Sequence, residues 1–127
     1  MKYEQSTGRL CEDDGSLVGL GWAGHLDGKN NPAMQDVKGV GPLPKGTYTI
    51  EDPEDGTHLG PLAFPLTPNP TNVMFGRSGF FLHAAEIKNP SMSSDGCIIM
   101  NRMVREFVAQ KIEGTTKDSP ERLLVVF

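Results

Sequence analysis

Residues 79–112 read GFFLHAAEIKNPSMSSDGCIIMNRMVREFVAQKI, and the pattern of apolar residues changes once within this stretch. Up to position 99 the apolar residues form short runs separated by Asn, Pro, Ser and Gly, which is typical of strands and turns. From position 100 they recur at intervals of three and four, as on the buried face of a helix. Asn101 suits the N-cap of that helix and Gly114 suits its end. The stretch therefore predicts a β-rich fold that carries one main helix.

The rest of the chain predicts more short strands. Counting the one at 79–83, the predicted strands lie at 2–5, 9–12, 16–22, 47–50, 62–66, 72–75, 79–83 and 123–127.

Prolines bound the piece at 62–66, so it is expected at a sheet edge, where a missing N–H is tolerated. Residues 53–60, with Asp55-Gly56, read as a turn, and 23–39 as a loop long enough to serve a function. The predicted buried face of the helix consists of Met100, Met103, Val104, Phe107, Val108 and Ile112. The prediction is a mainly β sandwich or barrel with one helix.

Composition limits the classes of protein that fit. The 127 residues suffice for one domain, predicted over 1–127, and 15 Gly with 10 Pro favour strands and turns over a helix bundle. A net charge of −4 argues against a nucleic-acid-binding protein. No apolar run reaches the roughly 18–20 residues that cross a bilayer. Residues 1–5 contain no apolar signal core, so ordinary secretion is not predicted.

His83 and Cys97 are the strongest candidates for chemistry. His83 ends an apolar strand, and Cys97 follows fourteen positions later, beyond a polar loop. If the loop folds back, the thiolate can attack a carbonyl while the imidazole takes and returns the proton. Gly96 removes side-chain bulk beside the thiol, and the amides of Gly96 and Cys97 can form an oxyanion hole. A backbone carbonyl suffices to orient the histidine ring.

Other polar residues are weaker candidates for a functional role. Arg77 can bind a substrate carboxylate, although a solvated arginine is the commoner outcome, and Ser94 can shape the loop before the cysteine. His25 and His58 are expected to be exposed loop residues. A zinc site formed by these two histidines with His83 and Cys97 is conceivable, but the sequence has no closely spaced ligand pair.

The second cysteine, Cys11, reads as a small hydrophobic residue of a strand. A Cys11–Cys97 disulfide is the only one that the chain permits, and it would remove the candidate nucleophile.

The pair resembles the active-site signature of the L,D-transpeptidases, in which a strand-end histidine precedes a Ser/Thr-x-Gly-Cys-Ile/Val element. Here the matching residues are His83 and SDGCIIM at 94–100. YEQSTG at 3–8, GWAGH at 21–25, NNP at 30–32 and GPLPKGTY at 41–48 resemble a compact bacterial subfamily that includes antibacterial effectors delivered by type VI secretion.

The resemblance implies a cofactor-free cysteine enzyme. Cys97 would be acylated by a peptidoglycan tetrapeptide stem, His83 would be the base, and the Gly96 and Cys97 amides would bind the oxyanion. Together with Arg77 and Ser94, Asp95 is expected to contact substrate. The protein would be made in the cytoplasm and act in the periplasm, with an immunity protein as a further partner.

Two positions depart from the family pattern. Asp95 stands where the larger enzymes usually have histidine, and Ile99 where they usually have arginine. These changes favour the small effector-like branch over a housekeeping cross-linking enzyme. Hydrolysis, cross-linking and D-amino-acid exchange all stay open. Two other functions also stay open: a catalytically silent cell-wall-binding module, and a cysteine amidohydrolase with another peptide substrate.

Overall fold

The computed structural model describes residues 1–55 and 58–127. In these residues it contains one α-helix and nine strands: α1 Arg102–Ile112, with β1 Lys2–Glu4, β2 Arg9–Cys11, β3 Leu17–Leu20, β4 Trp22–Ala23, β5 Gly46–Ile50, β6 Phe64–Pro68, β7 Phe81–His83, β8 Ile98–Ile99 and β9 Leu123–Val126.

The strands form a single sheet in the order β3-β2-β1-β9-β5-β6-β7-β8-β4, which curves into a nearly closed barrel. Only the β1–β9 and β7–β8 neighbours are parallel among the pairs that the structure describes. The mainly β fold with one main helix that the sequence predicts is thus confirmed. No helix of the described residues is long and apolar enough to span a membrane. Gly56, in the predicted turn at 53–60, lies outside the described residues. The short strand predicted at 72–75 is wrong, because these residues form bends and turns between β6 and β7.

The predicted strand at 16–22 is divided in two at Gly21. β3 pairs with β2, whereas β4 pairs with β8 at the other end of the sheet order. A Cβ atom at Gly21 would overlap the carbonyl oxygen of Ile99, so only glycine allows the chain to pass so close to β8. The chain thus runs directly from β3, at one end of the sheet order, to β4 at the other end, which nearly closes the barrel.

The piece predicted at 62–66 as an edge strand is instead an interior strand, β6, which pairs with both β5 and β7. Pro65 is tolerated because it lies where the β5 ladder ends: its carbonyl accepts from Glu51 N–H, and no N–H is required in return. Leu66 N–H, on the other side, donates to the Phe80 carbonyl.

Helix α1 begins as predicted, because the Asn101 side chain accepts a hydrogen bond from Val104 N–H. Its buried residues are Val104, Arg105, Val108 and Ile112. Met103 and Phe107 were predicted to be buried but are 80% and 41% exposed. Val104 packs directly on Gly19 of β3, whereas Met103 and Phe107 line an open cleft between the helix and β3.

Candidate active site

Parallel pairing of β7 with β8 brings His83 and Cys97 to neighbouring strands. The register places Leu82 opposite Ile98 and His83 opposite Ile99, so Cys97 immediately precedes β8, level with Phe81. Leu82 and Ile98 are fully buried in the hydrophobic core. Because side chains alternate along a strand, this register predicts that His83 and Cys97 lie on the opposite face, as diagonal neighbours.

His83 is held in one orientation by the main chain. Its Nδ1 lies 2.7 Å from the carbonyl oxygen of Ala84, which can only accept, so Nδ1 carries the proton and Nε2 offers a lone pair. Burial lowers the pKa of His83, and the charges of Arg105 and His58 lower it further, while the Ala84 hydrogen bond opposes the shift. The ring is therefore a neutral base oriented by a backbone carbonyl.

The Cys97 thiol is free and half-buried. Its Sγ accepts from Phe81 N–H at 3.3 Å and lies 4.0 Å from the Gly79 carbonyl. Burial raises the pKa of Cys97 to about 11; Asp95 also raises it, whereas the Phe81 N–H and Arg77 lower it. Within the described residues the thiol makes no hydrogen bond to His83. At neutral pH the pair consists of a thiol and a neutral imidazole.

Ser94 hydrogen-bonds three backbone groups and so joins the loop after β4 to the segment that carries the cysteine. Its side chain is fully buried, and Oγ accepts from Gly24 N–H at 2.7 Å and Gly96 N–H at 3.1 Å while donating to the Cys97 carbonyl at 2.6 Å. The prediction of substrate contact for Ser94 is therefore wrong; it shapes the loop. The Gly96 amide already donates to Ser94 Oγ, so it is not free to bind an oxyanion. The Cys97 amide has no acceptor among the other described residues and remains the candidate donor.

Gly96 also has a different role from the one predicted. A Cβ atom there would lie 2.6 Å from Arg77 Nη2 and 2.7 Å from the Phe80 ring, and its φ of +138° belongs to a region that favours glycine. The space beside Gly96 is thus filled by protein and is not open to a substrate.

Arg77 does not face substrate. Its side chain is 5% exposed, and its guanidinium donates to the carbonyls of Gln35, Gly41, Pro42 and Asp95. The predicted carboxylate contact is therefore wrong, since the donors that it needs are already engaged.

A cleft of about 620 Å³ opens beside His83. Its walls include the polar or charged residues His58, Glu86, Lys88 and Asp95 together with apolar residues, and Cys97 is not among the lining residues. Asp95 is exposed, as substrate contact would require, and that prediction stays open. His58 is exposed as predicted.

The prediction that His25 is an exposed loop residue is wrong. His25 is 9% exposed, and its Nδ1 lies 2.7 Å from the Ser94 carbonyl and 3.7 Å from Asp95 Oδ1. In the described chain, no group of three or more His, Cys, Asp or Glu side chains is placed to hold a metal ion, so the zinc arrangement of His25, His58, His83 and Cys97 does not form.

Sequence reasoning missed that the loop after β4 supports the cysteine. Gly24 and His25 bond to Ser94, Leu43 N–H donates to the Gly96 carbonyl at 2.9 Å, and Arg77 holds residues 35–42. The length of the loop at 23–39 was the available signal, since loops of that length are often functional.

The molecule is thus a nearly closed β-barrel with one helix and a candidate Cys–His site on two neighbouring strands. The Tlde1 domain matches residues 19–120, and the chain therefore belongs to this family of type VI secretion effectors. Comparison with curated proteins and with solved structures gives no match.

Proposed function

We propose that this effector domain is a cysteine-dependent acyl-transfer enzyme that acts on peptidoglycan stem peptides. The observation that supports the proposal is the pairing of β7, which ends in His83, with β8, which begins just after Cys97. The Ala84 carbonyl fixes the His83 tautomer that leaves Nε2 available as a base. Membership of an effector family supports a toxin role. The L,D-transpeptidase signature supplies the substrate class.

In the proposed reaction, Cys97 Sγ attacks the carbonyl carbon between the diamino acid at stem position three and the terminal D-amino acid. His83 Nε2 takes the thiol proton as the C–S bond forms, so the reaction needs no preformed thiolate. The oxyanion of the tetrahedral intermediate accepts from the Cys97 amide. When the C–N bond breaks, His83 returns the proton to the departing amine, which leaves a thioester on Cys97.

The second half of the reaction sets the product. Water attacking the thioester, with its proton taken by His83, gives L,D-carboxypeptidase activity and restores the thiol. A D-amino acid attacking through its amine gives exchange instead. Asp95 lines the cleft beside His83, where its carboxylate can attract the amine of the diamino acid side chain or of an incoming acceptor.

The proposed site of action is the periplasm, where peptidoglycan lies, after synthesis in the cytoplasm and delivery by the secretion machine. A producing cell would need protection from such an enzyme, so an immunity protein is the expected partner besides the peptidoglycan stem. Family membership supports this route.

The proposal is tested by digesting purified sacculi with the reduced protein and identifying the muropeptides by mass spectrometry. We expect loss of the terminal D-amino acid from tetrapeptides, and no loss with Cys97→Ala. Unchanged muropeptides from folded, reduced protein would refute the proposal.

A catalytically silent wall-binding module is the second candidate. The observation in its favour is that the thiol hydrogen-bonds the backbone of β7 and not His83. Sacculus pull-down separates the two functions: for a silent module, the wild type and Cys97→Ala bind sacculi equally, and both leave the tetrapeptides intact.

A further inference from the structure

Arg77 is a buried cation that the proposed reaction does not use. Its guanidinium bonds four backbone carbonyls: three come from residues 35–42, and the fourth, Asp95 O at 3.0 Å, belongs to the loop that carries Cys97. One side chain therefore joins the long loop after β4 to the backbone just before the candidate nucleophile.

The charge of Arg77 is not neutralised where it lies. Its acceptors are neutral carbonyls, and no carboxylate in residues 1–55 and 58–127 forms an ion pair with it; Asp36 acts on it only through space. The Phe80 ring covers it at 5.2 Å. Because a guanidinium stays protonated in proteins, this is a full positive charge at a fixed place.

That charge lies close to Cys97. Nη2 both bonds Asp95 O and occupies the space where a Gly96 side chain would be, one residue before the cysteine. The positive charge lowers the pKa of Cys97, in opposition to burial and to the charge of Asp95. Asp95 and Arg77 are the charged side chains that act on the thiol, and Tyr48 and Asp36 act on Arg77.

We propose that Arg77 is a positioning residue for Cys97: it fixes the backbone that presents the thiol and its amide, and its charge favours the thiolate and the oxyanion. The inference rests on the proposed function only in taking Cys97 as the nucleophile. Ionisation of the thiol is a property of the free protein and needs no peptidoglycan.

The experiment measures the rate at which iodoacetamide alkylates Cys97 from pH 7 to pH 10, with the site resolved by peptide mass spectrometry. For Arg77→Met we expect the pKa of Cys97 to rise by about one unit or more, the effect of removing a nearby opposite charge. Because this pH range lies below the pKa of Cys97, the change appears as a lower rate at every pH. At a fixed pH the rate should fall about threefold, since a thiolate of higher pKa is also more nucleophilic.

Two further variants separate charge from structure. Arg77→Lys keeps the charge and should keep most of the profile, although it loses the fork of donors. Arg122→Met is the matched control: Arg122 is also 5% exposed and bonds the carbonyls of Ile50, Ile112 and Thr115, so its loss should lower stability but leave the Cys97 profile unchanged.

The proposal is overturned if Arg77→Met, with a native near-UV spectrum, alkylates like the wild type at every pH, or if Arg77→Lys shifts the profile as far as Arg77→Met. If Arg77→Met does not fold, Arg77→Gln replaces it, because its amide keeps donors for the carbonyls without the charge. A wild-type protein that leaves muropeptides unchanged would refute the enzyme function and leave this measurement intact.

Discussion

At the scale of single residues, Ser94 determines whether the loop that carries Cys97 keeps its shape. Its hydroxyl serves two buried N–H groups, of Gly24 and Gly96, and donates to the Cys97 carbonyl. Ser94→Ala leaves both N–H groups without a partner, and we expect the free energy of unfolding to fall by about 2–3 kcal/mol. Urea denaturation measures the loss.

Ser91→Ala is the control for this prediction. Ser91 is exposed and lies in the same loop, so its loss should change stability by no more than about 0.5 kcal/mol. Equal stabilities of the two variants would show that the Ser94 contacts contribute nothing.

The protonation of His83 gives a second prediction. Because burial, Arg105 and His58 lower its pKa, NMR titration of the imidazole should give a midpoint below 6.5, and Cys97→Ala should leave it nearly unchanged. A thiolate–imidazolium pair would instead give a midpoint above 6.5 that drops in Cys97→Ala. The imidazole signal that is absent from the spectrum of His83→Gln is the signal of His83.

The same pKa has a consequence for stability. As the pH falls below about 6.5, the unfolded chain binds a proton at His83 while the folded protein does not, so stability is lost as the pH falls toward the folded pKa. His83→Gln should lack this part of the acid dependence.

The roles of His83 and Cys97 could be predicted from the sequence, whereas those of Arg77 and Ser94 could not. His83 and Cys97 could be identified because their residue types and a single loop define the chemistry. Arg77 and Ser94 were assigned to substrate because their true partners are backbone groups, and no side-chain pattern marks a carbonyl or an amide that folding will bring near. These groups belong to residues 24, 35, 41, 42, 95, 96 and 97.

At the scale of elements, Gly21 makes the crossing between β3 and β4. The Cβ of an alanine there would overlap the Ile99 carbonyl of β8, so we expect Gly21→Ala to lose more than about 3 kcal/mol or to fail to fold. Thermal and urea unfolding measure this.

Gly39→Ala is the matched control for the crossing. No atom lies within 4 Å of a Cβ at Gly39, but its φ of +78° is left-handed, so alanine should cost only about 1–2 kcal/mol. Similar losses in the two variants would mean that the close approach to β8 is not what requires glycine at 21.

Local signals predicted the elements better than their places in the sheet. The N-cap could be read because Asn101 bonds Val104, three residues along the chain. The interior position of β6 could not be, because it depends on pairing with β5 and β7, which are distant in sequence. Spacing alone also could not decide which neighbouring helical faces are buried, so Met103 and Phe107 were misassigned.

At the scale of the whole molecule, the effector family predicts that damage depends on the compartment. We expect the chain to inhibit growth of a Gram-negative host when it carries an export signal, and to be harmless when it stays in the cytoplasm, where no peptidoglycan is accessible. Exported Cys97→Ala is the control and should be harmless. Toxicity of exported Cys97→Ala at the wild-type level would contradict a cysteine enzyme.

Acylation of Cys97 by a stem peptide is the step on which the proposed activity depends, and intact-protein mass spectrometry with a purified tetrapeptide muropeptide detects it. We expect a mass increase equal to the tetrapeptide without its terminal D-amino acid, located on Cys97, or release of the tripeptide product. Both should slow in His83→Ala and vanish in Cys97→Ala. If folded, reduced protein leaves Cys97 unmodified and the tetrapeptide uncleaved, Cys97 is not the nucleophile of such an enzyme.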